Sequence, residues 1–178
     1  TGSSGKTSLK EMLGQMMSKI YQTSYSKKSF NNKYGVPISL FNINKEDKIG
    51  IFEVGMDKKG EIDFLTKKIM PNVGVITNIS YAHIKNFKNL QGVAQAKSEI
   101  INNIIKHGSI ILNADDKFFK FFKFKSKKKK LKIISFSIKQ KSDISLINIK
   151  KRKLNSVIYV KYYKKRFKFI IKKSLENY

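Results

Sequence analysis

The sequence contains no cysteine. Disulfide bonds, thiolate nucleophiles and cysteine-based zinc sites are therefore excluded, although this leaves the compartment of the protein open. Long apolar segments are also missing, because no run approaches the roughly 18 uninterrupted apolar residues that a membrane span requires. No basic and then apolar signal peptide can be read at the N-terminus. We therefore expect a protein without a membrane span, whose chemistry uses oxygen and nitrogen groups.

Acidic residues are scarce in the last third of the chain. Residues 117–178 hold 22 Lys/Arg and two Asp/Glu, a net charge of +20, whereas residues 1–116 hold 16 and 10, a net charge of +6. A field of this strength attracts phosphates and anionic surfaces without specificity. The same region is rich in Ile, Asn and Phe, as expected when a genome favours A and T codons. We therefore expect no specific nucleic-acid partner, and a nucleic-acid-binding P-loop protein remains the alternative.

Short apolar runs alternate with helical patterns over the first 116 residues, and a chain of 178 residues suits one domain. The patterns predict buried strands at 49–54, 72–79 and 109–112, and helices at 6–21, 61–69 and 90–105. Such alternation implies right-handed crossovers. The predicted fold class is α/β, with a mainly parallel P-loop sheet covered by helices on both faces.

The pattern changes after Asp116. Residues 118–130 form a Phe/Lys stretch that fits a short amphipathic helix running into a basic loop. Residues 144–150, 157–163 and 167–172 alternate apolar and polar side chains, which is typical of antiparallel strands with one solvated face. We expect one domain, with a P-loop α/β core at 1–116 and a basic, antiparallel β-rich part at 117–178.

The strongest chemical signal is the sequence TGSSGKTS at residues 1–8. Small residues let successive backbone N–H groups surround a phosphate, and the positive end of the following helix adds to the attraction. Lys6 can reach the β and γ oxygens, and the Thr7 hydroxyl can ligate Mg²⁺. The predicted phosphate-binding residues are Gly2, Ser3, Ser4, Gly5, Lys6, Thr7 and Ser8. The first glycine of the usual pattern would precede residue 1, so we expect the chain to be cut at its N-terminus.

A phosphate-bound cation needs further ligands, which gather at the carboxyl ends of parallel strands in open α/β sheets. Glu53 closes the predicted strand 49–54, where an unpaired carboxylate would be costly, so it either ligates a cation or caps a turn. The phosphate loop favours the cation. His83 follows the predicted strand 72–79, and a solitary histidine is more often a hydrogen-bonded loop residue than a ligand. Its role stays open at this point.

Other polar residues have simpler interpretations. Lys97 lies inside the predicted helix 90–105, where a solvated lysine paired with an acid is the favoured interpretation. His107, beside a glycine in a helix-to-strand connection, is interpreted as structural. Asp115 and Asp116 follow the predicted strand 109–112 and could cap the next helix or approach the nucleotide. Spacing does not separate those two roles.

Seven motifs in a fixed order together resemble the Mur ligase family. They are TGSSGKTSLKEM at 1–12, NNKYGVP at 31–37, EVGM at 53–56, GEI at 60–62, PNVGVITNISYAHIKNF at 71–87, GVAQAKSEI at 92–100 and NADD at 113–116. The loop at 31–37 is similar to that of the branch that joins D-alanyl-D-alanine to a UDP-N-acetylmuramoyl tripeptide. The resemblance implies that residues 1–178 are the central ATP-binding domain, truncated at both ends.

The resemblance implies a role for each matching residue. Residues 2–8 would hold ATP, with Lys6 acting in catalysis, and Asn31 and Asn32 would lie near the γ-phosphate and the muramoyl peptide. The implied metal ligands and catalytic groups are Thr7 and Glu53 for one Mg²⁺, and His83 and a carbamylated Lys97 for a second. One departure is Lys85, where relatives often carry an acid.

The implied reaction is ATP-driven amide formation through an acyl phosphate, by a cytoplasmic monomer in peptidoglycan synthesis. Its substrates would be the UDP-N-acetylmuramoyl tripeptide and D-alanyl-D-alanine, with ATP and Mg²⁺ as cofactors. Another amide ligase of the same kind, such as a tripeptide-forming or folylpolyglutamate enzyme, is the alternative within this fold. The isolated chain is expected to be inactive as a ligase.

Overall fold

A computed structural model of the chain describes residues 1–81 and 86–172. The helices in this part are α1 (Lys6–Met17), α2 (Gly35–Phe41), α3 (Glu61–Ile69), α4 (Leu90–Lys97), α5 (Ile100–Asn103) and α6 (Phe119–Lys128). The strands are β1 (Thr23–Tyr25), β2 (Ile49–Ile51), β3 (Val73–Ile76), β4 (Ser109–Asn113), β5 (Lys132–Ser137), β6 (Ile144–Lys151), β7 (Asn155–Tyr162) and β8 (Lys165–Lys172). None of these helices is long and apolar enough to cross a membrane.

The strands form one small sheet and one large sheet. β1 and β2 pair in parallel, and the six-stranded sheet runs in the order β3-β4-β5-β6-β7-β8. Its strands are parallel from β3 to β6 and antiparallel from β6 to β8. The prediction of a mainly parallel α/β sheet followed by antiparallel strands is therefore confirmed. The parallel part extends further than expected, because β5 continues it beyond residue 116.

Three elements were not predicted, namely β1, α2 and β5, and each has a local reason. β1 has only three residues, too few to show an alternating pattern. β5 buries Ser135 and Ser137, which interrupt the apolar pattern by which a buried strand is recognised. α2 has only seven residues, and its start depends on Asn32, whose Oδ1 accepts the N–H groups of Tyr34 and Gly35. Its Pro37 lies in the first turn, where a missing N–H costs nothing.

The predicted helix 90–105 breaks into α4 and α5 at Ser98 and Glu99. The Glu99 carboxylate is buried and accepts the N–H groups of Gly60 and Asp63, at 2.8 and 3.1 Å. It thus caps the N-terminus of α3 from a distant part of the chain, a role that favours the break over a continuous helix. The helix predicted at 6–21 is also shorter, since α1 ends at Met17.

The hydrophobic core lies between the parallel strands and helices α3 to α6. Its fully buried members include Ile62, Leu65, Ile76, Val93, Ile101, Ile104, Ile110, Leu112 and Phe122. α3 contacts α4 and α5, α6 contacts β4 and β5, and α1 contacts β1 and β2. The packing holds the first turn of α1 near the carboxyl ends of β2 and β3, where ligands bind in such sheets.

Candidate active site

The first turn of α1 presents unpaired backbone donors. Gly5 adopts a left-handed conformation, φ 75°, just before the helix begins at Lys6. At the N-terminus of α1, the N–H of Leu9 donates an i→i−4 helical hydrogen bond to the carbonyl of Gly5, at 3.0 Å. An α-helix leaves its first N–H groups without intrahelical acceptors, and their partial positive charge favours an anion. The turn is therefore suited to a phosphate group.

The glycine loop is fixed against the end of β3. The carbonyl of Thr1 accepts the N–H of Thr77 at 3.0 Å, and the Thr77 hydroxyl donates to the carbonyl of Ser4 at 2.7 Å. Gly2 has φ 150°, and a Cβ atom there would lie 1.8 Å from the Thr77 hydroxyl oxygen. Only glycine fits this approach, so the loop and β3 hold each other in one arrangement.

The backbone amides of Ser3 and Ser4 have partners within the protein, and the predicted contact of these residues with ATP stays a prediction. The N–H of Ser3 donates to the carbonyl of Asn78 at 2.9 Å, and the N–H of Ser4 donates to the Asn78 side-chain oxygen at 3.0 Å. The Ser3 hydroxyl also exchanges hydrogen bonds with the backbone of Ser80. These bonds brace the loop against the segment that follows β3, and the first turn of α1 adds further donors for a phosphate.

Glu53 lies two residues beyond β2 and faces the phosphate loop. Its side chain is buried, with 3% exposure. Oε2 accepts the Thr7 hydroxyl at 2.8 Å, and Oε1 accepts the side-chain amide of Asn31 at 2.6 Å. The structure thus brings together Thr7, Glu53 and Asn31, which lie far apart in the sequence. The backbone N–H of Glu53 donates to the Ser26 hydroxyl at 3.3 Å.

The oxygen atoms of Thr7 and Glu53 fit a magnesium ion. Mg²⁺ prefers hard oxygen ligands and is usually bound by one or two carboxylates together with substrate phosphates and water. Within residues 1–81 and 86–172, no group of three or more His, Cys, Asp or Glu residues could hold a metal ion. A site with one carboxylate and one hydroxyl beside a phosphate loop therefore suits a cation shared with a nucleotide.

Lys97 is almost completely buried at the end of α4, with 1% exposure. The interpretation as a solvated lysine is therefore wrong. Burial and, to a smaller extent, the positive charge of Lys6 together lower the pKa of Lys97 to about 8. Lys6 and Lys97 therefore lie close enough to repel each other. Lys97 lies three and four residues after Ala94 and Val93, on the buried face of α4. The residue type argued against this burial, because lysine is almost never fully buried.

The remaining residues singled out in the sequence either bond to backbone groups or lie outside the part of the chain that the structure describes. The Asn32 side-chain oxygen caps α2, and its predicted contact with the γ-phosphate stays a prediction. His83 and Lys85 lie outside the described residues. The Asp116 carboxylate accepts the N–H groups of Ile79 and Phe118, at 2.7 and 2.8 Å, so it braces the segment that follows β3. Asp115 similarly accepts backbone N–H groups at 138 and 139.

Sequence reasoning missed three residues that shape the site. Asn78 bonds to the phosphate loop, Ser26 bonds to the backbone of Glu53, and Lys10 bonds to the carbonyls of Ser26 and Lys28. Each acts on a partner distant in the sequence or on a backbone atom, so no local pattern signals it. Lys10 in particular has the sequence context of a surface lysine on an amphipathic helix.

Comparison with known proteins identifies the family of the chain. The family described as Mur ligase middle domain matches residues 1–175. The UDP-N-acetylmuramoyl-tripeptide–D-alanyl-D-alanine ligase of Buchnera aphidicola subsp. Baizongia pistaciae is 42% identical over 149 residues, which cover 84% of this chain and 32% of that protein. The Escherichia coli ligase of the same name is 38% identical over 116 residues, covering 65% and 26%.

Solved structures show the same similarity. MurF from Acinetobacter baumannii superimposes with a TM-score of 0.88 at 31% identity, over 95% of this chain and 36% of that chain. MurF ligase from Thermotoga maritima, solved in complex with ADP, gives a TM-score of 0.85 at 24% identity, over 95% and 38%. The chain spans about a third of the length of the curated relatives that it matches most fully. By the match over residues 1–175, the chain belongs to the Mur ligase middle-domain family.

Proposed function

We propose that residues 1–178 form the ATP-binding part of a ligase that adds D-alanyl-D-alanine to UDP-N-acetylmuramoyl tripeptide in peptidoglycan synthesis. The observation that carries the proposal is the 2.8 Å contact between Thr7 and the buried Glu53 beside the first turn of α1. The names of the curated relatives and of the Acinetobacter baumannii structure support this substrate pair. A protein using ATP and a UDP-linked precursor would work in the cytoplasm.

ATP would bind with its β- and γ-phosphates at the N-terminus of α1. The amides of the first turn and the Lys6 ammonium would bind the phosphate oxygens. Thr7 and Glu53 would hold Mg²⁺, which when bound offsets the negative charge of the triphosphate. Asn31, which donates to Glu53, would orient that carboxylate, and Asn32 would lie near the γ-phosphate. The ADP complex of the Thermotoga maritima enzyme supports the choice of nucleotide.

The chemistry would activate a carboxylate that is otherwise a poor acyl donor. The terminal carboxylate of the tripeptide attacks the γ-phosphorus of ATP, and ADP leaves with the electron pair of the broken P–O bond. The amine of D-alanyl-D-alanine then attacks the acyl carbon of the resulting acyl phosphate, releasing inorganic phosphate and a proton. Lys6 would stabilise the charge that accumulates on the transferring group, while positioning supplies much of the remaining rate acceleration.

Lys97 would act as a carbamate rather than as an ammonium ion. A buried amine with a pKa of about 8 has a much larger neutral fraction near that pH than an ordinary lysine, and the neutral form is the one that attacks CO₂. The product is an N-carboxylated lysine and a proton, so the buried positive charge beside Lys6 becomes a negative charge. Together with His83, which the family resemblance implies, this carbamate would support a second Mg²⁺.

The proposal is tested by measuring amide formation and phosphate release in the whole protein. We expect Lys6→Ala to abolish ligation of D-alanyl-D-alanine to the tripeptide, while Lys19→Ala, at an exposed position beyond α1, leaves it unchanged. Near-normal ligation by Lys6→Ala would contradict the proposal. Assays with other acceptors and amines would identify a tripeptide-forming or folylpolyglutamate ligase.

A further inference from the structure

Lys10 is a buried cation that the proposed mechanism leaves unused. It lies on α1 three residues after Thr7, and its side chain is almost completely buried. Its Nζ donates to the carbonyl of Ser26 and to the carbonyl of Lys28, both at 2.5 Å. It also lies 2.7 Å from a carboxylate oxygen of Glu11, which is partly exposed. All three donors of the ammonium thus have acceptors, two of them backbone groups on a separate segment.

The segment that Lys10 holds leads directly to the proposed metal site. Ser26 accepts the backbone N–H of Glu53 through its hydroxyl, and its own N–H donates to the carbonyl of Ile51. Lys28 has φ 47°, a left-handed conformation that is unfavourable for a lysine, and the bond to its carbonyl stabilises that turn. Asn31 follows Lys28 by three residues along the chain.

The far end of the same segment contacts Glu53 a second time. The side chain of Asn31 donates to Oε1 of Glu53, and the carbonyl of Asn31 accepts the N–H of Gly55 at 2.7 Å. A Cβ atom on Gly55 would lie only 2.9 Å from the Asn31 side-chain oxygen, so the Asn31 side chain packs against the backbone of Gly55. Lys10 therefore fixes one end of a short connection whose other end orients the carboxylate.

We infer that Lys10 is a positioning residue that holds Glu53 and Asn31 in register with Thr7, and so tunes the binding of the cation that accompanies ATP. This inference rests on the proposed function and deepens it. Lys10 and Thr7 belong to the same helix, so the ammonium links the hydroxyl ligand to the carboxylate ligand through a rigid element. Removing the ammonium leaves two carbonyls without their donor and lets the segment move away from α1.

The test compares ATP affinity with and without the cation in the whole protein. Titration calorimetry gives the Kd of ATP in Mg²⁺ and in EDTA. The Kd in EDTA divided by the Kd in Mg²⁺ measures how much the cation contributes to ATP binding. Lys10→Met keeps the apolar stem but removes the charge, and we expect the ratio to fall about tenfold, as for loss of a charge-assisted hydrogen bond. Lys19→Met, at an exposed position, is the matched control and leaves the ratio unchanged.

Two further variants distinguish positioning from a general effect on stability. In a Glu53→Gln background, Lys10→Met should change the ratio no further, because Lys10 acts through Glu53. Ser26→Ala, a small change that folds even if Lys10→Met does not, should lower the ratio in the same direction. The inference on Lys10 is overturned if the ratio is unchanged in folded Lys10→Met or in Ser26→Ala. It is also overturned if the effects of Lys10→Met and Glu53→Gln on the ratio are additive. Neither result would affect the proposed function. Failure of the unmodified protein to bind ATP would overturn the proposed function as well.

Discussion

The phosphate-loop region and the three-stranded region β6–β8 use lysine in opposite ways. Lys10 and Lys97 are buried beside the loop, where each has a defined environment. In β6–β8, Lys161, Lys165 and Lys168 are exposed. Apolar side chains in register across these strands, such as those at 149, 158 and 169, are also partly exposed. Residues 144–172, which span β6–β8, hold ten Lys/Arg and no Asp/Glu. The phosphate-loop region instead contains the polar side chains that meet around Glu53.

This difference teaches that charge density and chemical function are separate in this molecule. A solvated lysine keeps its hydration and adds only a screened, long-range field. A buried lysine must be paired or must release its proton, so its neighbours determine what it does. The +20 of the C-terminal segment is therefore a weaker guide to function than two lysines near the N-terminus of α1 and at the end of α4.

The largest expected effect that tests this comparison comes from the buried carboxylate. Glu53→Gln keeps the shape and removes the negative charge that would hold Mg²⁺, and its one remaining oxygen can accept from Thr7 or from Asn31. We expect kcat/KM for ligation to fall by about 10²–10³-fold, the usual cost of losing one electrostatic group at a reacting phosphate or acyl centre. Asp47→Asn is the control, since that partly exposed carboxylate lies away from the phosphate loop and bonds to Ser24 and to the N–H of Asn44. Equal losses in the two variants would break the comparison.

A second prediction concerns the burial of Lys97. Its pKa is lowered to about 8 in the folded protein, so between pH 8 and the ordinary value of 10.5 only the unfolded chain keeps the proton. Stability from this group therefore rises with pH through that window, and below it the full cost of burying the charge is present. In CO₂-free buffer we expect Lys97→Met to raise the free energy of unfolding by about 2–3 kcal/mol at pH 7, and by less at pH 10.

Urea unfolding at the two pH values measures this difference. The same variant should lose ligase activity, because it can form no carbamate, and ¹³C NMR in ¹³C-bicarbonate should show a carbamate signal only when Lys97 is present. A gain in stability that is equal at pH 7 and pH 10 would show that Lys97 keeps its ordinary pKa. A carbamate signal that survives Lys97→Met would assign the modification to another lysine.

The smallest expected effect comes from the exposed lysines of β7 and β8. Replacing Lys161, Lys165 and Lys168 together by Gln should change stability by less than about 0.5 kcal/mol per site, as is usual for surface positions. Ligation should be unaffected, and binding to DNA should be weak and lost with rising salt in both forms. ATP turnover that is stimulated by nucleic acid and abolished in this variant would contradict the account and favour a nucleic-acid-dependent P-loop enzyme.

The sequence alone predicted the phosphate loop and its pairing with Glu53. Both follow from rules that hold locally, namely a glycine-rich turn opening into a helix and an acid placed where a parallel strand ends. It failed where a structure depends on a distant partner. The break at Ser98 exists because Glu99 caps α3, and the burial of Lys97 depends on elements that surround α4.

The contacts of Ser3, Ser4 and Lys10 could not be predicted either, because their partners are distant in the sequence or are backbone atoms. Ser3 and Ser4 have the residue types of phosphate ligands, yet their amides donate to Asn78, which follows a strand more than 70 residues away. The hydrogen bonds from Lys10 to two carbonyls cannot be predicted from side-chain periodicity, because every residue has a backbone acceptor. The family resemblance, and not the spacing of residues, was what singled out Lys97.

The central claim is that Thr7 and Glu53 share the cation of a bound triphosphate. A crystal structure of the protein with Mg²⁺ and a non-hydrolysable ATP analogue tests it most directly. We predict that the Thr7 hydroxyl oxygen ligates the cation at about 2.0–2.1 Å, with the Glu53 carboxylate bound directly or through one water. A triphosphate whose cation contacts neither residue, or one bound away from the first turn of α1, would contradict the account.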